Sequence, residues 1–230
     1  VGMPLWLDSL GPAVTQLCYS RLACSLAARI VCLEGGLAPT FRRADLATKR
    51  IEGEAEGALL ALNPLGKVPT LVLEDGSVLT ENVAVLLYLG DRAGLAPPEG
   101  RARFETLEWL SFVATEVHKR VLSIAFSLDR PAEPVKQNAR DAAARPLATL
   151  DRRLRDRDFL VGESFGVADA YLVWALVLAP RRPCGVSLDP YPALSAYVAR
   201  HLARESVKSA LAIESREYAA PGWWTAKQLD

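Results

Sequence analysis

A cysteine occupies the point where a predicted strand gives way to a predicted helix. The segment Val14–Tyr19 has a strand-like apolar run, and Cys24–Glu34 has the apolar spacing of a helix that Gly35-Gly36 ends. Cys24 therefore stands at or near the first turn, where unpaired backbone N–H groups and the helix dipole favour an anion and can lower the pKa of a thiol. A free cysteine more often packs as a small apolar residue, so the reactive and the structural interpretation both stay open.

A proline directly precedes the predicted strand Thr70–Leu73. Pro69 follows Val68, and a proline cannot donate a hydrogen bond to a sheet. A cis bond between the two residues would leave the backbone N–H and C=O of Val68 free to pair with an extended, peptide-like ligand. A trans proline at the start of a strand is the commoner alternative.

A charged residue stands at the predicted start of another helix. Thr80-Glu81-Asn82 opens a helical pattern that runs to about Asp91. Backbone N–H groups at a helix start suit a carboxylate, and Glu81 beside them suits an ammonium group. Together they suit a zwitterionic end group, although ordinary helix capping is the commoner explanation of the triplet when it is taken alone.

The first part of the chain alternates between strand and helix patterns, which predicts an α/β arrangement in two layers. A β-α-β unit is followed by a β-β-α unit, and Glu74-Asp75-Gly76-Ser77 is a hairpin turn signal between the last two strands. Besides the segments above, the predicted elements are a weak strand at Thr40–Ala44, a short helix ending near Leu62 and a return strand at Val78-Leu79.

The second part of the chain contains helical patterns and no convincing strand. The Gly- and Pro-rich residues 93–100 are the best linker, so we expect domains at 1–92 and 101–230. The central helix of the second domain should be buried because it is apolar on most sides, and Pro146 should kink or split the helix that contains it. The predicted helices are Arg101–Leu128, Pro134–Asp156, Val167–Ala179, Tyr191–Leu202 and Glu205–Ser215, and the role of the tail Ala219–Asp230 is left open.

The composition excludes several classes of protein. The 230 residues carry 27 basic and 27 acidic side chains, whereas a nucleic-acid-binding protein usually carries a basic excess. Half of the residues are hydrophobic, which excludes a disordered chain. The longest apolar run, Ala170–Ala179, is too short to span a bilayer. We therefore expect a small-molecule or protein partner, with no nucleic acid and no membrane.

The cysteines and histidines do not form a metal-binding pattern, so we expect no metal. There is no CxxC pair, and the two histidines lie far apart in the sequence. A reduced, cytoplasmic protein is the default for such a chain, because no basic residue precedes Arg21 to start a signal peptide. The residues concerned are Cys18, Cys24, Cys32, Cys184, His118 and His201, of which Cys18 and Cys32 are expected to be packing residues.

Several short motifs, taken in order, resemble those of glutathione transferases, and the Ala23-Cys24-Ser25-Leu26 tetrapeptide is most similar to the bacterial beta class. The resemblance covers roughly residues 14–212. It implies an α/β thioredoxin-like N-terminal domain followed by an all-α C-terminal domain. The other motifs are Cys18–Leu22, Asn63–Pro69, Thr80–Asn82, Glu108–Leu110, Thr115–Lys119, Val161–Glu163 and Val167–Leu172.

The resemblance also implies which residues surround the sulfur of glutathione. Cys24 matches the cysteine that lies at this sulfur in the class, and His118 matches a residue that lines the same cleft. Ser25 or Tyr19 would act as donors that lower the pKa of the thiol. Taken without the family, His118 would more often be a structural or solvated helix residue.

The remaining parts of glutathione would bind to residues of the first domain. Val68, next to a cis Pro69, would pair with the cysteinyl backbone. Glu81 and Asn82 would hold the γ-glutamyl end, and Lys49 would line the cleft. These assignments come from the resemblance and not from the spacing of the residues.

The function implied is conjugation of glutathione, as co-substrate and without another cofactor, to hydrophobic electrophiles that enter an apolar pocket of the second domain. Detoxification as a homodimer is expected. Cys24 also makes glutathione-dependent thiol transfer or disulfide reduction plausible. The alternatives are a non-catalytic glutathione-binding or interaction module and a specialised isomerase or dehalogenase.

Two features depart from the class. Arg21-Leu22 stands where the class commonly has Pro-Gly, and this loop passes close to the ligand. Gly166 stands where a Ser or Thr often caps a helix. Asp169, at the third helical position, should still reach back to a free backbone N–H.

Overall fold

The computed structural model describes residues 13–122, 132–181 and 184–216. In the first part of the chain, the predicted β-α-β and β-β-α units are confirmed. Helix α3 begins at Asn82, after Glu81 rather than Thr80. The elements are β1 (Val14–Tyr19), α1 (Ser25–Glu34), β2 (Thr40–Arg43), α2 (Ala58–Leu62), β3 (Thr70–Leu73), β4 (Val78–Leu79) and α3 (Asn82–Ala93).

The four strands form one mixed sheet in the order β2-β1-β3-β4. Strand β1 is parallel to β2 and antiparallel to β3, and β3 is antiparallel to β4. Helix α1 makes the crossover that a parallel pair requires. Leu17 on β1 pairs with Leu71 on β3 and both are fully buried. The sheet therefore supports α1 from beneath and fixes where the first turn of α1 lies.

The second part of the described chain is helical, as predicted. All twelve residues of α6 are buried, which confirms it as the central helix. No helix among the described residues is long and apolar enough to cross a membrane. The elements are α4 (Gly100–Phe112), a π-helix (Val113–Val121), α5 (Glu133–Leu154), α6 (Val167–Leu178), α7 (Pro192–Leu202) and α8 (Glu205–Arg216).

The helix predicted over Arg101–Leu128 is in part wrong. It begins at Gly100 and changes at Val113 from an α-helix into a π-helix that ends at Val121. A π-helix joins residues five apart, as in the hydrogen bond from the Leu122 N–H to the Val117 carbonyl at 3.2 Å. The end of the predicted helix and the tail Ala219–Asp230 lie outside the described residues.

Two further expectations concern the ends and interiors of helices. Pro146 lies inside α5 without splitting it, so that part of the prediction is wrong. Asp169 does reach back from the first turn of α6, because its Oδ2 accepts the Gly166 N–H at 3.0 Å. Its Oδ1 accepts the Leu160 N–H and the Tyr197 hydroxyl at 2.8 and 2.7 Å. Burial raises the pKa of Asp169 to about 6.

Helix α1 joins the sheet to the helical region. It packs against α3 from the first part of the chain and against α6 and α8 from the second. Apolar side chains of both parts belong to one continuous core. The residues at the start of α1, including Cys24, are therefore surrounded by elements distant in sequence.

Candidate active site

Cys24 caps the start of α1 and is nearly enclosed. Its side chain is 9% exposed, and its Sγ donates a hydrogen bond to the Val68 carbonyl at 3.3 Å. Burial raises the pKa of this thiol to about 12, although the backbone N–H groups of Cys24 and Ser25 and the charge of Lys119 act in the opposite direction. The expected lowering of the thiol pKa is therefore wrong for this structure, because desolvation outweighs the helix start.

The Val68–Pro69 peptide bond is cis, as the resemblance implies. The carbonyl of Val68 is not free, since it accepts the Cys24 thiol. The preceding turn is held by the side chain of Asn63, whose Nδ2 donates to the Lys67 carbonyl at 3.0 Å. The Cys24 thiol is thus bonded to the residue before the proline, and the Asn63 side chain holds the turn in which that residue lies.

Lys49 lies against the same turn. Its Nζ donates to the Gly66 carbonyl at 3.1 Å, and its own backbone is left-handed, with φ of 57°. Gly66 also has positive φ, and a Cβ there would come within 2.8 Å of the Lys49 side chain. The ammonium group of Lys49 is therefore held beside the 63–66 turn.

The start of α3 holds a strained backbone and an unpartnered amide. Glu81 is exposed and has φ of 67°, which is unusual for a residue other than glycine. Asn82 is 8% exposed, and neither its Nδ2 nor its Oδ1 has a hydrogen-bond partner of good geometry among the described residues. Buried amides are normally satisfied, so this one is available to a ligand.

His118 lies on the π-helix and is largely buried between aromatic side chains of α6. Its Nδ1 is 2.7 Å from the Tyr171 hydroxyl, and its ring meets the Trp174 ring edge-on with centroids 4.7 Å apart. Burial, together with the charges of Lys119 and Lys67, lowers the pKa of His118 to about 4. The imidazole is neutral near pH 7, so it can act through a hydrogen bond but not through a charge.

Tyr171 is a site residue that the sequence analysis missed. Its side chain is buried on α6, and its hydroxyl meets His118. Burial raises its pKa, as do the nearby Cys24 and Glu81, whereas the Asn82 amide acts in the opposite direction. Tyr171 therefore links the start of α3 to the Cys24 region. A hydroxyl two residues after Asp169 in the largely apolar α6 was the signal that could have identified it.

The two predicted thiol donors, Ser25 and Tyr19, make contacts within the first part of the chain. The Ser25 hydroxyl donates to the Ser20 carbonyl at 3.2 Å, and its role as a donor to the glutathione thiol stays a prediction. The Tyr19 ring lies 4.3 Å from the Arg29 guanidinium and packs edge-on against Phe41. For Tyr19 the structure shows packing between β1 and α1.

The loop before Cys24 is held by the helical region. Leu22 adopts φ of 55°; its N–H donates to Glu214 Oε2 at 2.6 Å, and its carbonyl accepts the Trp174 Nε1–H at 3.0 Å. Glu214 also pairs with Arg29 Nε at 2.8 Å, and both side chains are buried. Leu22, which together with Arg21 stands where the class has Pro-Gly, is thus held in its positive-φ conformation by hydrogen bonds to side chains of α6 and α8.

The other cysteines are buried. Cys18 and Cys32 are fully buried, which agrees with their expected packing role. Burial raises the pKa of both thiols, to about 12 for Cys32. In the part of the chain that the structure describes, no group of three His, Cys, Asp or Glu residues is placed to hold a metal ion.

The sequence matches two family models. Residues 23–92 match the glutathione S-transferase N-terminal domain, and residues 106–205 match the glutathione S-transferase C-terminal domain. The chain is 36% identical over 207 residues to the glutathione S-transferase GstA of Escherichia coli O157:H7, which covers 86% of this chain and 98% of that protein.

Solved structures of glutathione S-transferases are also similar to this chain. A sphingomonad glutathione S-transferase complexed with glutathione is 38% identical, with a TM-score of 0.79 over 87% of this chain and 98% of that one. The bacterial beta class glutathione S-transferase of Sphingomonas chungbukensis has the same identity, TM-score and coverage. These similarities extend across both the strand-containing and the helical part.

Proposed function

Since the chain belongs to the glutathione transferase family, we propose that glutathione binds in the cleft between the starts of α1 and α3, with its sulfur beside Cys24. The predicted transferase activity, as opposed to a non-catalytic module, is confirmed by the relatives. The observation that carries this placement is the buried amide of Asn82, which has no well-formed hydrogen bond among the described residues and which, like Cys24, lies near the Tyr171 hydroxyl.

The γ-glutamyl end is assigned to the start of α3. Its carboxylate would accept hydrogen bonds from the Asn82 amide and from the unpaired backbone N–H groups of the first turn. Its ammonium group would pair with the exposed carboxylate of Glu81. The positive φ of Glu81 supports this role, because strained residues tend to occur at ligand-binding sites.

The cysteinyl part is assigned to Val68 and the glycyl end to the side of the cleft that contains Lys49. The Val68 N–H and C=O would pair with an extended ligand once the Cys24 thiol releases the carbonyl, and the cis bond to Pro69 supports this role. The Lys49 ammonium, beside the same turn, offers a positive charge to a carboxylate.

Activation of glutathione would rest on hydrogen-bond donation to its thiolate. With a pKa of about 12, the Cys24 thiol keeps its proton near pH 7 and can donate it in a hydrogen bond. His118 is neutral and offers an N–H. The thiolate so stabilised attacks the electrophile. Cys24 is then a donor, and not the nucleophile, in conjugation.

The second substrate is proposed to be a hydrophobic electrophile, and the biological role to be detoxification in the cytoplasm. The aromatic side chains of Tyr171 and Trp174 on α6 lie against His118, which supports an apolar second-substrate site on that side of the sulfur. An assay of glutathione conjugation with a generic aryl halide and several other electrophiles tests this. No turnover of any of them would favour the isomerase or dehalogenase alternative.

Replacing Asn82 with alanine should weaken glutathione binding by about 1.5–3 kcal/mol, the range for a hydrogen bond to a charged group. The free energy of unfolding should fall by less than the binding free energy, since the amide has no well-formed hydrogen bond in the described protein and only the weak approach to the Tyr171 hydroxyl is lost. Calorimetry measures the first quantity and urea denaturation the second.

The control for stability is Asn63→Ala, because the amide of Asn63 is fully bonded to the 65–70 turn. That variant should lose stability. Unchanged glutathione affinity in Asn82→Ala would contradict the assignment of the γ-glutamyl end to α3.

A homodimer is proposed, and two exposed side chains mark the surface. Phe104 on α4 is 72% exposed and Leu65 is 60% exposed, more than any other large apolar residue described. We propose that a second copy covers them in a two-fold pairing.

Light scattering at micromolar concentration should give twice the 25.0 kDa chain mass. Phe104→Asp should shift the mass towards the monomer. Val135→Asp, at an exposed apolar position on α5, should not. A monomer mass for the unsubstituted protein would argue against the dimer.

A further inference from the structure

The His118 imidazole is held from two sides by α6. The Tyr171 hydroxyl lies 2.7 Å from its Nδ1. The Trp174 ring meets it edge-on, and Trp174 is itself fixed by its hydrogen bond to the Leu22 carbonyl at 3.0 Å. The Tyr171 and Trp174 rings are stacked with centroids 5.7 Å apart. The orientation of His118 is therefore set by residues outside the π-helix.

The short contact at Nδ1 allows two arrangements of protons. A neutral imidazole carries one N–H and one acceptor nitrogen, and a tyrosine hydroxyl has one proton. Either the hydroxyl donates to a bare Nδ1, which places the imidazole proton on Nε2, or the Nδ1–H donates to the hydroxyl oxygen.

The environment favours donation by the tyrosine. Burial keeps both groups neutral, raising the pKa of Tyr171 and lowering that of His118, and Lys119 and Lys67 add to the second effect. A phenol is a better donor than a neutral imidazole N–H, and an imidazole nitrogen is a better acceptor than a phenol oxygen. The partner of one ring nitrogen decides which nitrogen carries the proton.

We propose that Tyr171 is a positioning residue that donates its hydroxyl proton to Nδ1 and thereby holds His118 as the tautomer with hydrogen on Nε2. In this tautomer Nε2 is a donor, so His118 stabilises a glutathione thiolate and does not accept the thiol proton, which leaves to solvent. The consequence for the sulfur rests on the proposed function, whereas the tautomer does not.

The tautomer is measured directly by ¹⁵N NMR of histidine-labelled protein. The chain has two histidines, and His118→Ala assigns their signals. The unsubstituted protein should show the proton on Nε2 and a bare, hydrogen-bonded Nδ1 for His118. A proton on Nδ1 would overturn the proposal without any measurement of activity, and so separately from the glutathione site.

Tyr171→Phe is the functional test. It should remove the hydrogen bond that fixes the tautomer, so that Nδ1 of His118 becomes protonated in part of the molecules. The kcat for conjugation should fall by about tenfold, which corresponds to the loss of one hydrogen bond. The KM for glutathione should stay within about twofold. A merely structural role would not change the tautomer signal.

The matched control is Tyr191→Phe, which removes a hydroxyl that donates to the Ala144 carbonyl elsewhere in the helical region. Its tautomer signal and kcat should match the unsubstituted protein. If Tyr171→Phe changes neither quantity more than Tyr191→Phe does, the positioning role is overturned. If Tyr171→Phe does not fold, the spectrum of the unsubstituted protein still decides the tautomer.

Discussion

Replacing Cys24 with serine should abolish the reduction of glutathione mixed disulfides and leave conjugation within about tenfold, or roughly 1.4 kcal/mol in the barrier. Disulfide reduction requires a sulfur nucleophile, and a serine hydroxyl cannot replace it. Conjugation requires only a donor to the glutathione thiolate, and a hydroxyl can donate as the thiol does. Steady-state rates with an aryl halide and with a glutathione mixed disulfide measure the two activities.

Disulfide reduction by the unsubstituted protein should itself depend on the protonation state of Cys24. Because burial raises the pKa of Cys24 to about 12, little thiolate exists near pH 7, and disulfide reduction by the unsubstituted protein should be slow and rise with pH. Cys32→Ala, at a fully buried position on the same helix, is the control and should keep both activities. Disulfide reduction that survives in Cys24→Ser would show that a different thiol reacts.

Replacing Glu214 with leucine should lower the free energy of unfolding by about 3–5 kcal/mol, the usual cost of leaving a buried charge without its partner. Arg29 is 4% exposed and pairs with Glu214 through Nε. The Leu22 N–H would lose its acceptor as well. Urea denaturation measures the loss, and conjugation should fall because the loop before Cys24 is released.

The matched control for this variant is the double substitution Arg29→Met/Glu214→Leu. It removes both charges and should recover a large part of the lost stability, since a buried ion pair contributes little over apolar side chains of similar size. The Leu22 N–H stays without its carboxylate, so recovery should be incomplete. If the double variant is no more stable than Glu214→Leu alone, the ion pair is not the source of the effect.

The order of elements was predictable from the sequence because it depends on local patterns. Strand and helix periodicity, Gly and Pro turns and the apolar α6 gave the main boundaries to within a few residues. The π-helix was not predictable in this way. Its buried residues Val113, Val117 and Val121 are four apart, which suits an α-helix as well, and only the backbone hydrogen bonds distinguish the two.

The electrostatics of the site depend on tertiary packing. The position of Cys24 at a helix start predicted a lowered thiol pKa, but the enclosure that raises it comes from residues far away in the chain. Tyr171 and Glu214 were missed for the same reason, since their partners His118 and Leu22 lie 53 and 192 positions away. The Pro-Gly replacement Arg21-Leu22 was recognised, but not the two contacts that hold Leu22.

A crystal structure of the protein with bound glutathione tests the central claim most directly. The account predicts the γ-glutamyl carboxylate on the Asn82 amide at the start of α3, the cysteinyl backbone on Val68, and the sulfur within hydrogen-bonding distance of Cys24 Sγ. Glutathione bound elsewhere, or bound with its sulfur directed away from Cys24 while the Asn82 amide stays unpartnered, would contradict it.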